Sequence, residues 1–139
     1  MGYMLANSDV IIRLALSLLA GALIGLEREK SKHPAGLRTH MLVCVGSTLL
    51  TLISVDVFPQ DPARVAAGIV TGIGFLGAGT IFRDKNNVRG LTTAASIWSV
   101  AGVGLALGAG AYFIAATATI AILLTLGLSR IRIFGKRKK

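Results

Sequence analysis

The chain has 139 residues, room for one domain, with 53% hydrophobic and 15% charged residues, a net charge of +9, 17 glycines and 3 prolines. Its mean hydropathy is +0.71. This excludes a disordered chain, which needs low hydrophobicity and high charge, and a disulfide scaffold, since Cys44 is the single cysteine; a body this small has too little interior to hide several apolar runs of span length, so the chain reads as a membrane protein.

A span takes about 20 apolar residues. In chain order the candidates are residues 10–26, with Arg13 inside, then 39–57, then 64–82. The remaining apolar stretch, 91–129, is too long for one helix. Gly102, Gly104, Gly108 and Gly110 weaken its middle, which predicts spans at 91–107 and 111–129 around a turn near Leu107–Gly110. The expected fold is all-α, a single transmembrane domain over 1–139 with five helices. The first span does not read as a cleavable signal peptide. It has no positive n-region, and Glu27-Arg28-Glu29 stands where small residues would mark a cleavage site.

The charges orient these spans. Thirteen of the fifteen basic residues fall in the first loop (Arg28, Lys30, Lys32, Arg38), the third loop (Arg83, Lys85, Arg89) and the tail (Arg130, Arg132, Lys136, Arg137, Lys138, Lys139). Arg13 and Arg64 are left near the other side. Five spans put the thirteen on one face, with the N-terminus outside and the C-terminus cytoplasmic. The same distribution argues against nucleic acid as a partner, because no basic stripe lies on one helix face and aromatics are only 6%.

Inside lipid, polar and small residues turn towards protein and leucines towards acyl chains. At 100° per residue, Arg13, Ser17, Ala20, Gly21, Ile24, Glu27 and Arg28 share one face of the first span, opposite Ile12, Leu16, Leu19, Leu23 and Leu26. His40, Cys44, Ser47, Thr51 and Ser54 form the inward stripe of the second, opposite Leu42, Val45, Leu49 and Ile53. Arg64, Gly68, Thr71, Gly72, Phe75 and Gly79 align on the third; Arg89, Thr92, Ser96 and Ser99 align on the fourth, beside Thr93. These stripes read either as packing faces, with Gly21-xxx-Gly25 and Gly68-xxx-Gly72 admitting close backbones, or as the lining of a hydrophilic path.

Few residues carry chemistry. Gly72-Ile73-Gly74-Phe75-Leu76-Gly77 matches G-x-G-x-x-G, but it sits inside an apolar span without the strand and acid a dinucleotide site requires. The third helix is then either closely surrounded or locally broken. Asp61 with Pro62 suits a helix start, and with Arg64 forms an extracytoplasmic cap; a cation site at Asp61 is the alternative. The six acids divide between the two faces, so one chain cannot gather a carboxylate cage at mid-membrane, and no metal ligands are assigned. His33 and His40 lack zinc-ligand spacing. With no nucleophile–base arrangement, neither an enzyme nor a cofactor is expected. Glu27-Arg28-Glu29 reads as an interfacial salt-bridge cluster, or as one in which Glu27 pairs with Arg38 or Arg89 in a cytoplasmic charge network.

Four strings then stand in a recognisable order: Gly21-Ala-Leu-Ile-Gly-Leu-Glu-Arg-Glu29, Ala35-Gly-Leu-Arg-Thr-His40, Asp61-Pro-Ala-Arg64 with Gly72-Ile-Gly-Phe-Leu-Gly-Ala-Gly79, and Arg89-Gly-Leu-Thr-Thr-Ala-Ala95 with Trp98. The set, over roughly residues 10–128, resembles the MgtC/SapB family of bacterial inner-membrane proteins. The resemblance is to the short form, without the soluble C-terminal domain of longer members. It implies a multi-pass plasma-membrane protein linked to magnesium limitation, acid stress or survival inside host cells. Two functions follow as expectations. One is regulation of other membrane proteins by direct binding. The other is transport of magnesium or protons by a homo-oligomer, since five short helices are few to enclose a path.

Overall fold

The structure is a computed structural model and describes residues 5–128. The basic tail that weighs in the orientation reading, and the end of the fifth expected span at Ser129, lie outside the described residues. The fold is all-α. Helices α1 (Asn7–Lys30), α2 (Leu37–Val57) and α3 (Pro62–Ala78) are followed by a hairpin of β1 (Phe82–Asp84) and β2 (Asn87–Arg89), then by α4 (Leu91–Gly108) and α5 (Tyr112–Gly127). By length and composition α1, α2 and α4 can each cross a membrane, and α3 and α5 are shorter apolar helices.

Each boundary has a local cause. Asp9 in the first turn of α1 and Arg28 and Lys30 in its last complement the helix dipole. The chain leaves α1 through Lys32 at φ 56, and Pro34 keeps the helix from continuing. Pro62 occupies the first turn of α3, where its missing N–H costs nothing. Asp61 holds the N-cap position but makes no side-chain capping bond; its carboxylate takes Arg64 instead, at 2.8 Å. Gly110, at φ 76, makes the turn between α4 and α5 where the glycine cluster predicts one.

Helix α4 lies at the centre and touches each of the other four. Two glycine pairs bring the helices together. A Cβ on Gly21 would meet the His40 carbonyl and Met41 Cα at 2.8 Å, and one on Gly25 would meet Leu37 Cα at 2.7 Å, so α1 crosses α2 backbone to backbone. A Cβ on Gly104 would collide with the Cys44 carbonyl, and one on Gly108 with Thr51 Cβ at 2.5 Å, so α2 and α4 cross the same way.

The inward faces expected of α1 and α2 are the buried ones. Arg13, Ser17, Gly21, Ile24 and Arg28 are buried on α1, and His40, Cys44, Ser47, Thr51 and Ser54 on α2. The third helix is the correction. Arg64, Gly68, Thr71, Gly72, Phe75 and Gly79 all point outward, and α3 buries Ile73 and Gly77 instead. A Cβ on Gly68 or Gly72 would meet nothing within 4 Å, whereas one on Gly77 would touch Ala94 at 3.6 Å. The helix is continuous from Pro62 to Ala78, so it is not broken at the glycines. It also ends at Ala78, short of the expected residue 82: a turn at Gly79 and Thr80 follows, and Phe82 already belongs to the hairpin.

Candidate functional site: a buried polar seam

Polar side chains of α1, α2 and α4 meet in one seam running the length of the bundle. At the end near the first loop, Arg28 is 2% exposed. Its Nη2 donates to Thr93 Oγ1 at 3.1 Å, and its Nη1 lies 3.9 Å from Glu27 Oε2. Glu27 Oε1 also accepts the Ser31 hydroxyl at 2.9 Å. The network expected between Glu27 and Arg38 or Arg89 is therefore built with Arg28, while Arg38 and Arg89 are exposed. Glu29 acts separately, since its Oε2 accepts the Leu37 amide at 2.7 Å and so holds the start of α2.

One turn further in, His40 is fully buried. Its Nδ1 faces the Gly36 carbonyl at 2.9 Å, which requires a proton on that nitrogen. Its Nε2 lies 3.0 Å from Ser96 Oγ, and Ser96 is also 2.8 Å from the Thr93 carbonyl. With Nδ1 carrying the proton of the neutral ring, Nε2 is an acceptor, and the Ser96 hydroxyl lies within reach of both it and the Thr93 carbonyl.

The middle of the seam is taken up by helix-to-helix bonds. Ser47 donates to the Ala101 carbonyl at 2.6 Å and Thr48 to that of Gly104 at 2.8 Å, while Thr51 bonds back to Ser47. At the far end Arg13 donates through Nη1 to the Gly108 carbonyl at 2.7 Å and through Nε to the Tyr112 hydroxyl at 3.2 Å, with Asp9 at 3.6 Å. Thr92, expected on the α4 stripe, is exposed; the inward register belongs to Thr93, Ser96 and Val100.

Outside the seam, α2 and α3 leave an open apolar groove of about 540 Å³ lined by Leu42, Gly46, Leu50, Gly68, Gly72 and Leu76. Among the described residues no three His, Cys, Asp or Glu side chains are gathered to hold a metal. Sequence reasoning missed the Gly104–Gly108 crossing and the Arg13–Gly108–Tyr112 cluster. The Gly104-xxx-Gly108 spacing was the available signal for the first.

The sequence profile of the MgtC family matches residues 14–132. The chain belongs to the MgtC family. It is 50% identical over 113 residues to Protein MgtC of Salmonella typhimurium LT2, covering 81% of this chain and 49% of that protein. It is 45% identical over 116 residues to Protein SapB of Bacillus subtilis 168, covering 76% and 50%. It is 41% identical over 129 residues to an Escherichia coli K12 protein named "Putative magnesium transporter YhiD", covering 86% and 60%. The chain thus spans about half the length of the curated relatives it matches. No solved structure matches. Family membership and the apolar helices together make this a membrane protein, and none of these relatives bears the name of an enzyme.

Proposed function

We propose that this chain is a multi-pass protein of the bacterial inner membrane, N-terminus outside, that serves magnesium homeostasis or adaptation to low magnesium and acid by binding and regulating other membrane proteins or further copies of itself. The observation that carries this reading is the face of α3 and its groove with α2. Cβ atoms built on Gly46, Gly68 and Gly72 would meet nothing within 4 Å. Small residues at helix spacing let a second helix come close in lipid, and among the described residues no helix uses these positions. The seam supports the same reading from the other side, since the hydroxyls of Ser47, Thr48 and Thr51 each donate to a carbonyl of the bundle and so act as ties within it.

A second reading is transport of magnesium or protons by a homo-oligomer. It is favoured by the magnesium transporter name of the Escherichia coli relative, and an assembly through the α3 face would supply the extra helices. One measurement separates the readings and a second tests the α3 face on which both draw. Purified protein in sealed proteoliposomes is expected to give no magnesium flux above empty vesicles. Gly72→Leu is expected to abolish support of growth in low magnesium while leaving the unfolding midpoint in detergent unchanged. Magnesium flux that needs the protein would replace the first reading with the second, and full growth support by Gly72→Leu would remove the α3 face from either.

A further inference from the structure

The hairpin between α3 and α4 has unusual surroundings. β1 and β2 pair antiparallel with Phe82 opposite Arg89, Arg83 opposite Val88 and Asp84 opposite Asn87. The two strands pack chiefly on each other, and residues 81–89 are all exposed. Phe82 is 66% exposed, Val88 50% and the adjoining Leu91 58%. Two strands with no third and, among the described residues, no helix over either face are marginal in water. Something beyond the described residues therefore covers this hairpin.

Helix lengths place it. With 17 and 18 residues, α3 and α4 are only about 26 and 27 Å long at 1.5 Å per residue. The hydrocarbon core is about 30 Å thick. Where these two helices cross, that shortfall draws the chain at their ends towards the acyl-chain boundary, with Ile81 and Phe82 beyond α3 and Leu91 at the start of α4 nearest to it and the hairpin tip on the headgroup side. At its base the two chain ends run close together: Gly90 has φ 90, and a Cβ there would collide with the Thr80 carbonyl, so the hairpin leaves the bundle directly from the ends of α3 and α4.

Its charge names the cover. Arg83, Lys85 and Arg89 stand against one acid, Asp84, whose carboxylate is engaged by the Lys85 amide at 2.7 Å. We propose that the 82–89 hairpin is a lipid-binding element that stands within the headgroup layer: the register puts Phe82 with Arg89 on one face and Arg83 with Val88 on the other, so each face offers one apolar side chain to the interface and one guanidinium to the phosphates of anionic phospholipids, with Lys85 at the tip. The chemistry is that of a basic segment beside a span, drawn to an anionic leaflet within a Debye length. The hairpin acts as an anchor that fixes the depth of α3, the helix whose outer face is open. This inference rests on α3 and α4 crossing the bilayer and not on any partner at the α3 face.

The test is hydrogen exchange of the whole chain in lipid nanodiscs, with phosphatidylcholine alone or with added phosphatidylglycerol. Hairpin amides are expected to exchange on the order of tenfold more slowly when the anionic lipid is present, and raised salt should erase the difference. In Arg83→Gln/Lys85→Gln/Arg89→Gln the difference should vanish while α1 and α2 amides stay protected. If that variant does not fold, the salt series on the unmodified chain decides. Equal exchange in both lipids, a difference that survives salt, or the same protection from inorganic phosphate in phosphatidylcholine discs would each overturn the proposal.

Discussion

Arg13 and Gly108 stand 95 residues apart in the chain and are joined by a 2.7 Å hydrogen bond, the guanidinium donating to the carbonyl at the end of α4. A cation at the carbonyl end of a helix meets the negative end of its dipole, so one side chain ties the start of α1 to the end of α4. Tyr112 adds the start of α5, its hydroxyl accepting Arg13 Nε and its ring lying 5.9 Å from the guanidinium carbon. Arg13→Ala should therefore destabilise the bundle by about 1.5–3 kcal/mol, the range for hydrogen bonds to charged groups. Arg13→Lys should recover only part, because an ammonium cannot reproduce the planar fork. Unfolding midpoints in detergent test this, and an unchanged midpoint for Arg13→Ala would show that the clamp contributes nothing.

The glycines divide into tight and open sites, and stability should follow that division. Gly104→Ala places a methyl against the Cys44 carbonyl and 2.9 Å from Ser47 Cβ. Backbone cannot step aside cheaply, so a cost of about 1–3 kcal/mol is expected. Gly72→Ala meets open space and should be neutral or slightly stabilising, since alanine is the better helix former. Equal destabilisation by the two would mean that the α2–α4 crossing relaxes freely.

These two glycines also show where the sequence was legible. Arginine, serine and histidine on a helix in lipid have one tolerable direction, towards protein, so the inward faces of α1 and α2 could be read from Arg13, Ser17, His40 and Ser47. Glycine has no such preference. Gly68 and Gly72 aligned as well as Gly21 and Gly25, but α3 turns Ile73 and Gly77 inward because its contact is with the α4 surface around Ala94, a relationship no single helix encodes. On α4 the choice between Thr92 and Thr93 was one residue wide, and Ile97 and Val100 decided it by packing. The hairpin stayed hidden because three-residue strands carry too little alternation to read, and Ile81-Phe82 extended the apolar run past the true end of α3.

The Ser96–His40 contact makes a quantitative case. Hydrogen bonds between helices in membranes average about 0.6 kcal/mol and reach about 1.7 in double-mutant cycles. The coupling between Ser96→Ala and His40→Ala should fall in that range, towards its lower part because the Thr93 carbonyl competes for the one Ser96 hydroxyl proton. Thr92→Ala, at an exposed position one residue from the seam, should show no coupling to His40→Ala. Zero coupling for Ser96 would separate His40 from the seam.

Glu29 is the residue whose importance the helical stripe understated. It lies off the inward face of α1, yet its carboxylate accepts the Leu37 amide at 2.7 Å and packs where a Cβ on Gly36 would come within 2.8 Å. The first amides of a helix have no partner within the helix, and an acid there also complements the dipole. Glu29→Ala should therefore cost about 0.5–2 kcal/mol, as loss of a cap does, and should speed exchange of the Leu37 amide while leaving the centre of α2 protected. Glu27→Gln acts elsewhere. It weakens the ion pair to the buried Arg28 guanidinium and should loosen the Arg28–Thr93 contact without touching Leu37. Measuring amide exchange at Leu37 in both variants distinguishes the two carboxylates; faster exchange in Glu27→Gln but not in Glu29→Ala would reverse their assigned roles.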